Sequence, residues 1–537
     1  MDSAPPPPMH PLAQLDHRHL WHPFTQMRDW LKREPIVIVS GRGAVLRDAH
    51  GHEYLDANSS IWTNLHGHAH PKINAALQRQ LQQIAHSSAL GFANEPASLL
   101  AEQLVRAANP KLGQSRRPSP LAPAPLARVF FSDDGSTALE VALKLAYQFA
   151  RRTGRSPRPK FLALAGAYHG DTVGAVSLGH IDLFHQAYAG LLFKSDQVMA
   201  PYCYRCPYNR AQPARADARD YRQCRWECVA QVERAFAAQA KRGHPYAAMV
   251  VEPLLQGAAG MIPQPVGWLR RVAEIVRSNG AQLIADEVMT GFGRTGGAPV
   301  QSAPRPHPDR RDACPTLFAC HQEGVQPDFL CLAKGLTGGY LPMAATLTTP
   351  AVFDAFLGEY EEFKTFFHGH SFTANQLGAA AGLASLALLQ SPASTRSRAK
   401  LEQTLRAELS SLWSLPHIGD IRQIGLVVGV ELVQDWRTRA PFDLRARAGI
   451  RVCEAMARRG VLTRPVGNVI VLMPPYCTTP AQARRMVSAL AEAVQEALPP
   501  LVAASRQSAA SIADANGGGG WRCGQAVPRP SHRQAVP

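Results

Sequence analysis

Lys334 and Asp286 are the residues of this chain whose types and placing invite chemistry. The stretch Asp328-Phe-Leu-Cys-Leu-Ala-Lys334 is the apolar run of a buried strand, and it ends on an ammonium group. Gly335-Leu-Thr-Gly-Gly339 follows at once as a turn with little side-chain bulk. Upstream, Gln282-Leu-Ile-Ala-Asp286-Glu287-Val288 is a second apolar run that ends on a carboxylate. Charges at the ends of buried strands are costly without partners. In open α/β sheets, ligands sit just outside the carboxyl ends of the strands. Pyridoxal phosphate uses both groups, a lysine as Schiff base and an acid opposite its pyridinium nitrogen. The plainer alternative is a buried ion pair with a structural part only.

Four further motifs carry chemical options. Asp133-Asp-Gly135-Ser136-Thr137-Ala-Leu-Glu140 follows a strand and opens a helix. Gly135 lets a backbone approach an anion closely, free N–H groups at the helix start bind phosphate, and Ser136 and Thr137 add hydroxyls. The same residues also read as an ordinary N-cap with a capping-box glutamate at Glu140. Tyr168, in Ala167-Tyr-His-Gly-Asp-Thr172, can stack on an aromatic ligand or simply pack. Gly369-His370-Ser371-Phe372-Thr373 offers small and hydroxylated residues, and Arg464, before Pro465, can hold a carboxylate in a bidentate fork.

Strands alternating with longer helical segments must position these groups, which argues for a parallel or mixed sheet covered by helices. Arg128–Phe131, Lys160–Leu164, Ala247–Leu254, Gln282–Val288 and Asp328–Ala333 are the strand candidates. Ser136–Arg151, Trp268–Ser278 and Gln376–Leu389 have helical spacing. The expected division places a disordered segment at 1–18 and a large cofactor-binding domain at 75–350. A smaller α+β domain combines 19–74 with 351–500 and has strands at Gly425–Val433 and Val469–Met473. Surface inserts are expected near 110–126, 203–228 and 298–316, and a disordered tail over 501–537.

The chain has 537 residues, 46% of them hydrophobic, enough for a large core. No apolar run is long enough to span a bilayer, and the start lacks a basic-then-apolar signal, so the cytoplasm is the expected compartment. The ten cysteines are then expected to be reduced. The net charge is +16, and many arginines lie in Pro/Ala-rich stretches such as Ser115–Pro120, Pro213–Arg222 and Arg305–Asp312, which do not form one stripe with interleaved aromatics. Such stretches read as solvated surface and argue against a nucleic-acid partner. Cys203-x2-Cys206 and Cys224-x3-Cys228 have spacings that would suit a structural zinc knot, yet no histidine completes a familiar signature. No metal is assigned.

Taken together, these pieces resemble the class III aminotransferases of fold type I. The diagnostic stretch is LIADEVMTGFGRTG, an insertion, then PDFLCLAKGLTGGYLP, from Leu283 to Pro342. The likeness covers about Leu20 to Leu498. His19-Leu-Trp-His-Pro-Phe-Thr-Gln-Met27, Ser59-Ser-Ile-Trp62 with His66-Gly-His68, and Leu462-Thr-Arg-Pro465 with Leu472-Met-Pro-Pro475 narrow it. They are similar to the branch that converts 8-amino-7-oxononanoate to 7,8-diaminononanoate in biotin synthesis.

The resemblance implies an α/β fold, with a mainly parallel sheet in a large domain and a smaller α+β domain, and pyridoxal 5'-phosphate as cofactor. It makes Lys334 the Schiff-base lysine and Asp286 the partner of the ring nitrogen, with Tyr168 as the third catalytic residue, stacked on the ring. Gly135 and Ser136 would bind the phosphate, and His370 and Ser371 would reach it from the neighbouring subunit of a homodimer. Phe24, Trp62, Gly369 and Arg464 would touch substrate alongside Tyr168 and Lys334. Phe24 departs from the tyrosine of many members, and Ile61 from the second tryptophan of some. S-adenosylmethionine is the expected amino donor, with lysine the alternative. Rival readings are an ω-aminotransferase or aminomutase of the same fold, and a non-enzymatic binding protein that kept it.

Overall fold

The computed structural model describes residues 9–110, 124–296 and 316–503. Seven strands form the central sheet: β1 (Arg128–Ser132), β2 (Lys160–Leu164), β3 (Asp196–Val198), β4 (Tyr246–Val251), β5 (Gln282–Asp286), β6 (Phe329–Leu332) and β7 (Ala344–Thr348). Their order is β1-β7-β6-β5-β4-β2-β3. Strand β7 runs antiparallel to both its neighbours, whereas β3, β2, β4, β5 and β6 pair in parallel.

Continuous apolar runs suit strands buried on both faces, and alternate residues feed two separate cores. Ala248, Val250, Ile284, Phe329 and Cys331 pack with Leu139, Ala142 and Ala146 of the helix Gly135–Arg152. Met249, Val251, Leu283, Ala285, Leu330 and Leu332 point the other way, into the core that holds Trp268, Val272 and Val276 of the helix Trp268–Ser278. In parallel register Asp286 pairs with Cys331, so β5 and β6 deliver their last residues to one edge of the sheet.

Two smaller sheets flank this layer. Ile38–Arg42, Val45–Asp48 and Glu53–Asp56 form an antiparallel meander, and Val461–Leu462 adds in parallel to Leu55–Asp56. Ile418–Ile424, Val427–Asp435, Val469–Leu472 and Pro465–Val466 make the other.

The fold departs from expectation at two segments. Residues 1–18 were expected to lack structure, yet Pro11–His19 is a helix. His10 caps it by accepting from the Leu12 N–H, a proline occupies its first turn, and Asp16 accepts from Trp30 Nε1 at 2.7 Å. Pro213–Arg222 reads as solvated, but Arg215 donates to the carbonyls of Leu415 at 2.6 Å and Ile418 at 2.5 Å. Arg219 donates to the Gln423 carbonyl at 3.0 Å, and Tyr204 is buried. This insert is fastened to the Ile418–Ile424 strand. Most of the other two inserts, expected at 110–126 and 298–316, and the tail beyond 503 lie outside the described residues. Among the described residues no helix is long and apolar enough to cross a membrane.

Candidate active site

Beyond β6 the chain turns at Lys334, whose φ of +42° is left-handed and costly for a residue with a side chain. Gly338 and Gly339 follow with φ of +66° and +84°. A Cβ on Gly339 would lie 2.7 Å from the Asn64 nitrogen, so only glycine lets this turn press against residues 63–64. That approach brings Trp62 to Lys334, with Nζ 5.3 Å from the indole centroid. Burial holds the Lys334 ammonium below the usual lysine value, against the opposing pull of Asp286 and Glu252.

Asp286 sits in a buried network. His169 Nδ1 lies 2.7 Å from Asp286 Oδ2, and the Val288 N–H donates to Oδ1 at 3.1 Å. Burial alone would depress the His169 imidazole; the hydrogen bond to Asp286 and the charges of Asp286 and Glu252 raise it instead. Glu252 accepts from the Tyr168 N–H at 3.2 Å and the Gly257 N–H at 2.8 Å. Burial pushes its carboxyl up to about 7, with Asp286 adding and His169 opposing. Tyr168 donates its hydroxyl to Asp171 Oδ2 at 2.6 Å, and its ring lies 6.2 Å from the His185 ring at an interplanar angle of 16°.

The raised Glu252 pKa has a testable consequence for the cofactor-free protein. Above pH 4.5 the unfolded chain releases this proton while the fold retains it until about pH 7. Stability is therefore lost as pH rises between those values, by a few kcal/mol at most, and the penalty stays above pH 7. Glu252→Gln is expected to raise the thermal midpoint at pH 8 and to change it little at pH 4.5, as calorimetry at the two pH values would read. A rise of equal size at both pH values would count against the buried charge.

The helix Gly135–Arg152 starts at the mouth of this network. Asp134 caps it, accepting from the Thr137 N–H at 2.9 Å in a reciprocal capping box. The partner in that box is Thr137 and not Glu140, whose Oε1 instead accepts from the Gly174 N–H at 2.9 Å. A Cβ on Gly135 would meet Val288 Cγ1 at 2.7 Å, and one on Gly170 would meet Ser136 Oγ at 2.1 Å. Two glycines thus keep the backbone close around the first turn.

A cavity of about 480 Å3 joins these parts, lined by Trp62, Gly135, Ser136, Tyr168, His169, Glu252, Asp286 and Lys334 among others. Pyridoxal phosphate fits this set: a glycine-flanked helix start for its phosphate, a carboxylate for its ring nitrogen, an amine for its aldehyde and a phenol ring beside it. Other expected residues lie outside the lining in the single chain. His370 Nδ1 is 2.9 Å from Asp133 Oδ2, and the Ser371 carbonyl is 2.9 Å from His86 Nε2. Gly369 is exposed, with open space around it. Phe24 is 60% exposed, its ring edge-on to Phe184 at 5.4 Å. Arg464 is exposed in the link between Val461–Leu462 and Pro465–Val466.

In the sequence His169 is marked only as part of the motif around Tyr168 and Glu252 is not marked at all, although a glutamate just past an apolar strand was a signal open to reading. Cys203, Cys206, Cys224 and Cys228 are free thiols. Burial pushes Cys203 up to about 12 and Cys228 to about 11. Among the described residues no group of three or more His, Cys, Asp or Glu side chains could hold a metal ion.

Comparison with known proteins agrees with this geometry. The family description "Aminotransferase class-III" matches residues 27–309 and 313–494. An adenosylmethionine-8-amino-7-oxononanoate aminotransferase from Geobacter sulfurreducens is 44% identical over 483 residues, 90% of this chain and 97% of that protein. One of the same name from Nitratidesulfovibrio vulgaris is 45% identical over 485 residues, covering 90% and 81%. The crystal structure of a third, from Methanocaldococcus jannaschii, aligns at a TM-score of 0.78 and 37% identity, over 91% of this chain and 99% of that one. An omega transaminase from Pseudomonas jessenii, in complex with PMP, aligns at 0.76 and 25% identity over 91% and 98%. The chain belongs to the class-III aminotransferase family and is a pyridoxal phosphate-dependent transaminase.

Proposed function

We propose that this enzyme transfers an amino group to 8-amino-7-oxononanoate, giving 7,8-diaminononanoate in biotin synthesis, with S-adenosylmethionine as donor. The observation that carries it is the Lys334 amine under the Trp62 indole, opposite Asp286 in one cavity. Relatives at 44% and 45% identity bearing the name of this activity support the substrate.

When bound, pyridoxal phosphate supplies an electron-accepting ring that eases removal of a proton from the carbon bearing the amine. Asp286 holds a proton on the ring nitrogen, and His169 keeps the carboxylate aimed by donating to it. Burial lowers the Lys334 pKa, so more of the amine is neutral and ready to take and return the substrate proton. Gly135 and Ser136 hold the phosphate through N–H groups and the Ser136 hydroxyl. Tyr168 would lie against the ring, with Asp171 fixing its hydroxyl. Trp62, Phe24 and Gly369 shape the substrate pocket. Arg464, which has no ion-pair partner among the described residues, takes the substrate carboxylate.

The proposed active unit is a homodimer in the cytoplasm, built from a large domain at 75–350 and a smaller one at 19–74 and 351–500, with no nucleic-acid or membrane partner. His370 and Ser371 complete the phosphate cradle of the partner's site. Trp21 at 87% exposure, Leu90 at 89%, and the exposed Phe92, Phe367 and Phe372 support an apolar surface meant for a partner. Sedimentation at assay concentration is expected to give a dimer; a fully active monomer would refute the shared site.

A half-reaction tests the donor. S-adenosylmethionine is expected to bleach the visible band of the holoenzyme within seconds, and lysine to leave it. Phe24 lacks the tyrosine hydroxyl but keeps an aromatic face for adenine, worth about 1 kcal/mol. Bleaching by lysine alone would make lysine the donor.

A further inference from the structure

Residues Ser59, Ser60, Ile61 and Trp62 all have positive φ, at +48°, +49°, +68° and +71°. The segment is one turn of left-handed helix without a glycine. Each such residue brings its Cβ too close to the following carbonyl, and a β-branched isoleucine fares worst. Runs of this kind persist only where the surroundings over-determine them.

The surroundings here are specific. The Asp56 carboxylate is buried directly behind the turn. Its Oδ1 accepts from the Asn58 N–H at 3.2 Å and the Ser60 N–H at 3.0 Å, and its Oδ2 accepts from Ser60 Oγ at 2.9 Å. His68 Nε2 lies 3.0 Å from the same Oδ2. The Asn64 amide donates to His68 Nδ1 at 3.1 Å, which leaves the imidazole proton on Nε2, facing Asp56. Gly41 makes room for that imidazole, since a Cβ there would lie 2.9 Å from His68 Cγ. Ser59 Oγ ties the start of the turn to the Met473 carbonyl at 2.6 Å. At its end, Trp62 Nε1 donates to Asn58 Oδ1 at 2.9 Å and sets the indole plane. Neither Asp56 nor His68 lines the cavity, while Trp62 does.

We propose that Asp56 and His68 are positioning residues, whose hydrogen bonds hold the left-handed turn at residues 59–62 and thereby present the Trp62 face to Lys334 and the bound substrate. A right-handed turn would mirror the fan of Cα–Cβ bonds and carry the indole away from the amine. The strain is the means of aiming one side chain, and the carboxylate offsets it. Trp62 as a wall of the substrate pocket rests on the function proposed above; the restraint of the turn does not.

The test is a pair of substitutions with two readouts. In Asp56→Asn the amide N–H2 would face the donors of Ser60 and His68. Hydrogen exchange of the Trp62, Thr63 and Asn64 amides, which donate to Asn58 and Ser59 carbonyls, is expected to speed up at least tenfold in the holoenzyme. The KM for 8-amino-7-oxononanoate is expected to rise at least tenfold, with kcat falling less and the cofactor band retained. Adding Ser60→Gly relieves one left-handed residue, so Asp56→Asn with Ser60→Gly should recover most of that KM, as loss of a merely structural group would not allow. Unchanged exchange in Asp56→Asn, or no recovery in the double variant, overturns the assignment. If Asp56→Asn does not fold, His68→Ala carries the same readouts with smaller changes expected, and wild-type values there overturn it. If the wild type does not turn over the keto acid, the proposed substrate is wrong, and the exchange arm, which needs no substrate, still decides the role of Asp56.

Discussion

Lys334→Ala is expected to abolish turnover and to leave no borohydride-reducible link between cofactor and protein. Among the residues lining the cavity, Lys334 is the only one with an amine, and its carrier strand, β6, ends beside Asp286 on β5. In the proposed mechanism, removing it takes away the point of covalent attachment and the group that shuttles the substrate proton. Loss of a positioned general acid–base alone lowers rates by about 10^2 to 10^4. With the covalent function lost as well, the residual rate should fall below detection in a steady-state assay. The variant should still fold, because the Lys334 amine has no hydrogen-bond partner among the described residues that its removal would orphan, and alanine at φ +42° is no more strained than lysine. Peptide mass spectrometry after borohydride treatment of the wild type should place the adduct on Lys334. An adduct on any other lysine would end this assignment.

What could be read from sequence divides along a physical line. Strands β4, β5 and β6 were legible because burial on both faces demands unbroken apolar runs, which stand out without knowledge of their neighbours. Lys334 and Asp286 were legible for the same reason, as charges that interrupt such runs at their ends. Strand β7 was not, since Ala344–Thr348 owes its place between β6 and β1 to partners on either side and not to a distinctive pattern. The insert around Arg215 and Arg219 was misread because its proline and arginine content looks solvated, while the carbonyls that hold it belong to residues 415, 418 and 423.

The candidate site follows the same rule. Ser59-Ser-Ile-Trp62 contains no glycine, so nothing local announces a left-handed turn; the groups that hold it, Asp56 and His68, converge on it only in the fold. His169 and Glu252 were passed over because their significance lies in distances to Asp286 and Tyr168. The substrate roles of Phe24, Gly369 and Arg464 and the cross-subunit roles of His370 and Ser371 came from family resemblance, and the single chain leaves each outside the cavity lining.

Asp286→Asn is expected to keep the cofactor and lose the rate. The proposed phosphate cradle at Gly135 and Ser136, the Tyr168 ring and Lys334 are untouched by the change, so the visible absorbance of the holoenzyme should persist. Asn Oδ1 can still accept from the Val288 N–H, which preserves the local backbone. What disappears is the negative charge proposed to stabilise a proton on the ring nitrogen. Removing one preorganised electrostatic partner of this kind costs about 10^2 to 10^3 in kcat. His169 provides a second readout. Its raised pKa depends on the hydrogen bond to Asp286 and on the charges of Asp286 and Glu252, set against the burial that lowers it. With the carboxylate gone, burial dominates and the imidazole should remain neutral to lower pH, a shift that NMR of labelled histidine can follow. A variant with near-wild-type kcat would show that the ring needs no charge from this residue, and Asp286 would then revert to a structural partner of His169.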